Sequence, residues 1–171
     1  LLIILDSLKK NNIDKAYEDL KIASRFVEQD RLNLAILETL EQYIFVFKEK
    51  KLISSKKNFG NLSFIAETFQ RCYLDDQSTE NYFLNLINKN EADYSRYFYF
   101  YLSYLVQKNK FDELEGAISS IEYINSTLLL SQGKSWIEEK NFKNFKDIFS
   151  CQNHNHIISE FLFLISNLYS S

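Results

Sequence analysis

The chain has no proline, no methionine and only three glycines in 171 residues. Proline and glycine break helices and make tight turns, so their scarcity argues against a sheet threaded through many hairpin turns and predicts an all-α fold. Without methionine there is no initiator, and the expectation is a fragment of a longer protein, truncated at both ends. The two cysteines, Cys72 and Cys151, stand far apart and unaccompanied, a pattern that implies neither a disulfide framework nor a zinc cluster. Charge of one sign is also missing: 20 Lys and Arg against 23 Asp and Glu leave a net charge of -3, too weak a field to mark the chain for nucleic acid. Long apolar runs are absent as well. LLIIL stops at Asp6 and FLFLISNLY near the end is short of the roughly 20 apolar residues of a membrane span. The reading is a soluble chain, cytoplasmic or periplasmic, without direct membrane insertion.

What is present is apolar periodicity. Hydrophobic residues make up 46% and charged ones 25%, the balance of a folded chain rather than a disordered one. Leu1, Ile4, Leu5 and Leu8 form one stripe, Asn11 and Asn12 a turn, and Asp14 is the expected cap of a helix carrying Tyr17, Leu20, Ala23 and Phe26. From Arg31 to about Lys50 the pattern is apolar on two sides, so that helix is packed on two sides. Lys48 to Asn61 reads as a helix end complemented by lysines and running into a loop. Helices bearing Leu62, Ile65 and Phe69, then Tyr82, Phe83 and Leu86, follow. Tyr94, Phe98, Tyr101, Leu102 and Leu105 fall within about 80° of arc and Tyr97, Phe100 and Tyr104 form a second stripe. The remaining arc, with Arg96, Tyr99, Ser103 and Gln107, is expected to face water or a ligand.

From Tyr94 to Phe149 one unit is written twice. Each copy has an apolar helix, a Lys and Asn turn (Lys108, Asn109, Lys110; then Lys140, Asn141) and a Phe opening a second helix. Phe142 follows Phe111 by 142 minus 111, or 31 residues, and Leu129, Gly133 and Trp136 stand where Phe98, Leu102 and Leu105 stand. This pattern resembles the tetratricopeptide repeat family, with Gly133, Trp136, Phe142 and Phe149 matching in kind. Phe145 departs, since the family has a small Ala there. Ile13, Ala16 and Leu20 keep that Ala, and from Ile13 to Phe111 is 98 residues (111 minus 13), close to three repeats of about 33. Leu162, Ile165, Ser166 and Tyr169 resemble the first helix of another repeat. The family's closing proline is nowhere in the chain, and residues 31 to 90 fit the repeat poorly.

Chemistry-bearing motifs are few. Cys151, His154 and His156 offer thiolate and imidazole in one loop, but no fourth metal ligand and no oriented base accompany them, so helix capping is the favoured reading. Glu113 with Glu115 and Glu138 with Glu139 read as solvated helix faces, and RYFYFYLSYL as core rather than a base-stacking platform. The isolated glycines at 60, 116 and 133 form no phosphate loop.

The fold expected from the resemblance is an all-α solenoid of stacked antiparallel hairpins, about nine or ten helices in a single array over residues 1–171, with its clearest repeats at 94–125 and 126–157. What the resemblance implies is a non-catalytic protein-protein interaction scaffold, with no cofactor and no metal, holding a protein or peptide segment in a groove of first helices. The groove candidates are Arg96, Tyr99, Ser103 and Gln107, then Thr127, Leu130, Lys134 and Glu138, then Glu160, Phe163 and Asn167. The rival readings are an accessory region of an enzyme whose catalytic domain lies outside the fragment, and a self-associating array.

Overall fold

Apolar positions at three- and four-residue spacing with no interior proline leave the backbone one way to satisfy its own polar groups, and the chain takes it. The computed structural model describes residues 1–26, 30–54, 57–88, 95–119 and 128–170. Among these there are ten α-helices and no strand: α1 (Leu2–Lys9), α2 (Ile13–Ala23), α3 (Arg31–Glu49), α4 (Asn61–Tyr73), α5 (Thr79–Ile87), α6 (Ser95–Gln107), α7 (Phe111–Ser119), α8 (Leu128–Glu138), α9 (Lys143–Ile148) and α10 (His154–Ser170). No helix among the described residues is long and apolar enough to cross a membrane. The cap of α2 is Asn12, whose side chain accepts the Lys15 N–H at 3.2 Å, rather than Asp14 two residues on; Asp14 instead pairs with Lys48 at 2.7 Å.

One turn recurs. After α1, α4, α6 and α8 the chain reverses through a residue in the left-handed region: Asn11, Asp75, Asn109 and Lys140, with φ of 57°, 59°, 56° and 55°. Each time the next N–H reaches back five residues, Asn12 to Ser7 O (2.8 Å), Asp76 to Arg71 O (2.9 Å), Lys110 to Leu105 O (3.0 Å) and Asn141 to Trp136 O (2.7 Å). The left-handed residue itself bonds three back, to Leu8, Cys72, Val106 and Ile137. This is the Schellman closure, which occupies carbonyls a helix end leaves unpaired. Glycine is its usual residue; here Asn, Asp and Lys accept the strained φ. The intervals are 140 minus 109, or 31, and 109 minus 75, or 34, while 75 minus 11 is 64, two intervals of 32. Lys50 (φ 54°) ends α3 with a simpler bond to Val46 O at 3.0 Å.

The chain divides into two compact units, Leu1–Asp76 with Ile157–Ser171, and Gln77–His156. In the first, α1 packs on α2, α2 on α3 and α3 on α4. Ile4, Leu8, Leu20, Leu40, Ile44 and Phe69 fill its core. Tyr43 of α3 meets Phe161 of α10 edge-on at 5.8 Å. The buried pair Gln42 and Gln70 satisfies itself, Gln70 Nε2 donating to Gln42 Oε1 at 2.9 Å, and Gln70 Oε1 accepts the Ile53 N–H at 3.2 Å. A strictly linear stack would hold α3 and α10 apart, since each hairpin touches only its neighbours. From Ile157 onward α10 belongs to the first unit.

In the second unit α6 is central, with α5, α7, α8 and α9 packed against it. Phe111 and Phe142 lie 5.0 Å apart. A Cβ on Gly133 would come within 3.3 Å of the Tyr99 ring and 3.6 Å of Phe145, which shows how closely α8 approaches. Phe145 is fully buried, stacked on Tyr99 at 5.4 Å and edge-on to Trp136 at 5.6 Å. The Tyr99 ring, with Phe145 behind it, lies against the space that Gly133 leaves.

Candidate partner-binding surface

The groove candidates fall into two sets. On α6 every residue from Tyr97 to Val106 is buried, so the arc expected to face water does not. Tyr99 and Ser103 are 0% exposed. The reason is position: a helix with neighbours on all sides has no wet stripe, whatever its sequence. Burial also holds the Tyr99 phenol well above its ordinary pKa. Leu130 and Glu160, each 1% exposed, are likewise interior rather than groove-lining.

Ser103 and Gln107 have a different task from the one expected. Ser103 Oγ donates to Phe149 O at 2.7 Å and sits 3.3 Å from Phe145 O, while Gln107 Nε2 reaches Phe149 O at 3.3 Å and Ser103 O at 3.0 Å. Phe145 O and Phe149 O lie at the end of α9, whose last turn is also closed by the Phe149 N–H on Phe145 O at 3.0 Å. Ser150 Oγ completes the set by donating to Gln107 Oε1 at 2.6 Å. The polar arc of α6 thus caps a neighbouring helix. A Ser and a Gln four apart amid aromatics is the only sequence signal, and it reads equally well as solvent exposure.

The surviving candidates are exposed or half-buried. Lys134 and Glu138, one turn apart on α8, are exposed, and Arg96 is half-buried with its guanidinium 5.2 Å from the Phe100 ring centre. In the first unit Asn167 and Phe163 of α10 are exposed. Thr127 lies outside the described residues.

Two groupings escaped the sequence reading. Glu80 of α5 accepts from Tyr101 Oη at 3.2 Å and from the Lys110 ammonium, joining α5 to α6 and to the turn before α7. That contact raises the Lys110 pKa, through its hydrogen bond to Glu80 first and Coulomb attraction second. At the other grouping, the Ser7 Oγ to Asp19 contact at 3.4 Å sets α1 antiparallel to α2, so the open end of that hairpin collects Leu2, Ile3, Ile22 and Phe26. All four are exposed, Leu2 and Phe26 by 82%.

The loop of Cys151, His154 and His156 has structural partners. Cys151 is buried and neither cysteine is a free thiol, a state their spacing did not announce. His156 Nδ1 accepts the Ser150 N–H at 2.9 Å. No group of three His, Cys, Asp or Glu is placed to hold a metal ion among the described residues. Glu113, Glu115, Glu138 and Glu139 are exposed, as expected of solvated faces. Compared with known protein families, characterised proteins and solved structures, the chain matches none.

Proposed function

We propose that this chain is a non-catalytic protein-binding scaffold built of tetratricopeptide-like hairpins, which holds a segment of a partner protein against the exposed side of its first helices. The observation that carries this reading is the contact between Phe111 and Phe142, residues one repeat apart whose rings meet at 5.0 Å, as stacking of equivalent hairpins requires. The recurring Schellman turn supports it. In the second unit the partner-facing residues are Arg96, Lys134 and Glu138; Asn167 belongs to a separate surface on α10. Mixed charge on one helix face favours a partner with complementary charge, and such contacts fix register and encounter rate more than total affinity.

The test places a photo-crosslinking residue at Lys134 or, as a control, at the exposed Lys15 of α2, and exposes each protein to an extract of its source. A partner captured at position 134 and not at 15 is then purified and titrated. Lys134→Glu is expected to weaken that complex about tenfold, or roughly 1.4 kcal/mol, with helix content unchanged. Equal capture at both positions, or an affinity indifferent to Lys134→Glu, overturns the assignment of the surface.

A further inference from the structure

The chain passes from α9 to α10 through Phe149–Asn153, and among the hydrogen bonds of that join Ser150 N–H donates to His156 Nδ1 at 2.9 Å, Asn153 N–H to Ser150 O at 3.0 Å and His156 N–H to Asn153 O at 3.0 Å. A ring nitrogen accepts only when it carries no proton, so His156 is neutral here with its proton on Nε2. Its ring is half-buried and lies over Phe149, centroids 6.4 Å apart and planes 29° from parallel. It also sits in the first turn of α10, where the partial positive charge of a helix start disfavours a second cation. Asp147 of α9 presents its carboxylate to the ring, and the uncharged Gln107 of α6 reaches the neighbouring Phe149 O and Ser150 Oγ. His154 is the other titratable group of the same turn.

We propose that His156 is an acid-operated latch on one backbone group: neutral, it holds the Ser150 N–H; protonated, it turns an N–H toward that N–H and lets it go. The anchors on either side are otherwise complete, since Phe149 O is held by Ser103 and Gln107, and Ser150 Oγ by Gln107. The Ser150 backbone N–H is therefore the group that acid sets free. Burial lowers the His156 pKa below its ordinary 6.5, with Asp147 opposing. A histidine whose folded pKa is depressed contributes its stability above 6.5, and that contribution is lost as pH falls through 6.5 toward the lower folded value.

Amide hydrogen exchange on the full chain reads the latch directly. The Ser150 protection factor, corrected for intrinsic exchange and referred to Leu102 in the middle of α6, is followed from pH 7.5 to 5. It is expected to fall in the wild-type chain, by at most tenfold per pH unit, the limit for one proton. His156→Asn keeps an acceptor at the Nδ1 position that does not titrate, so its Ser150 protection is expected to stay flat. A flat wild-type profile, or an equal fall in His156→Asn, overturns the latch. Should that variant fail to fold, nitrogen chemical shifts of the wild-type ring decide: a bare Nδ1 with a pKa below 6.5 supports the latch, and a pKa at or above 6.5 sinks it.

Discussion

Phe149 is 2% exposed and lies face to face with Phe100, ring centres 3.8 Å apart and planes 19° from parallel. Its carbonyl is also where Ser103 and Gln107 converge. Phe149→Ala removes the ring from a site that helix α9 cannot collapse into, and is expected to cost about 3 to 5 kcal/mol in a denaturant titration. An unshifted midpoint would take Phe149 out of the core. At this scale Phe149 was legible, while Phe26 and Phe111, given to apolar helix stripes, are 82% and 40% exposed, and the polar Ser103 is buried. Phe142 and Trp136 are half-buried, whereas Phe149 declared its burial through spacing. Ser103 did not, because a small hydroxyl serves equally well in water or under a neighbouring carbonyl, and only the neighbour decides. Tyr99 misled for a related reason: its hydroxyl suggested a wet face, while its ring belongs on Phe145.

Among helices, α7 and α8 offer a controlled comparison. Gly116 lies within α7 with nothing within 4 Å of where a Cβ would stand, whereas on Gly133 of α8 a Cβ would meet the Tyr99 ring at 3.3 Å. Alanine at either position relieves the entropy a helical glycine carries, worth about 0.5 to 1 kcal/mol. Gly116→Ala is accordingly expected to raise Tm by about 1 to 4 °C. Gly133→Ala is expected to show no gain or a loss, since Tyr99 is pinned by Phe145 and cannot yield. Calorimetry on the two variants separates them, and equal gains would refute the close approach of α8. Helix existence was well marked in the sequence because three- and four-residue spacing is a strong signal once proline is absent. Boundaries were weaker: the cap of α2 fell to Asn12 and not Asp14, as both are good capping residues two apart.

For the whole molecule, the all-α class followed from what the sequence lacks, and the two units did not follow from anything in it. Leu162, Ile165 and Tyr169 carry the spacing of one more first helix, and that spacing cannot say which core the helix enters. Phe161 enters beside Tyr43, far back along the chain. Gln77–His156 is contiguous and brings its own centre, with Phe83, Leu102 and Phe145 fully buried. A chain of residues 77–156 alone is expected to be helical and to melt cooperatively, as a unit with its own core should. A featureless far-ultraviolet melt would show that the division is geometric and not energetic. Of the candidate surface, Lys134 and Glu138 of α8 are exposed because their side of the helix is open, while Leu130 of the same helix and Tyr99 and Ser103 of α6 are buried.

The turns after α1, α4, α6 and α8 are closed by peptide groups, which every residue but proline owns in full. The direction of the chain at these four points is therefore written redundantly: replacing Asn11, Asp75, Asn109 or Lys140 changes the strain of the turn but not the bonding scheme that makes it. One kind of error is not tolerated. Proline at 12, 76, 110 or 141 deletes the N–H that reaches back five residues, so the absence of proline from the composition coincides with four positions where it would unmake the route.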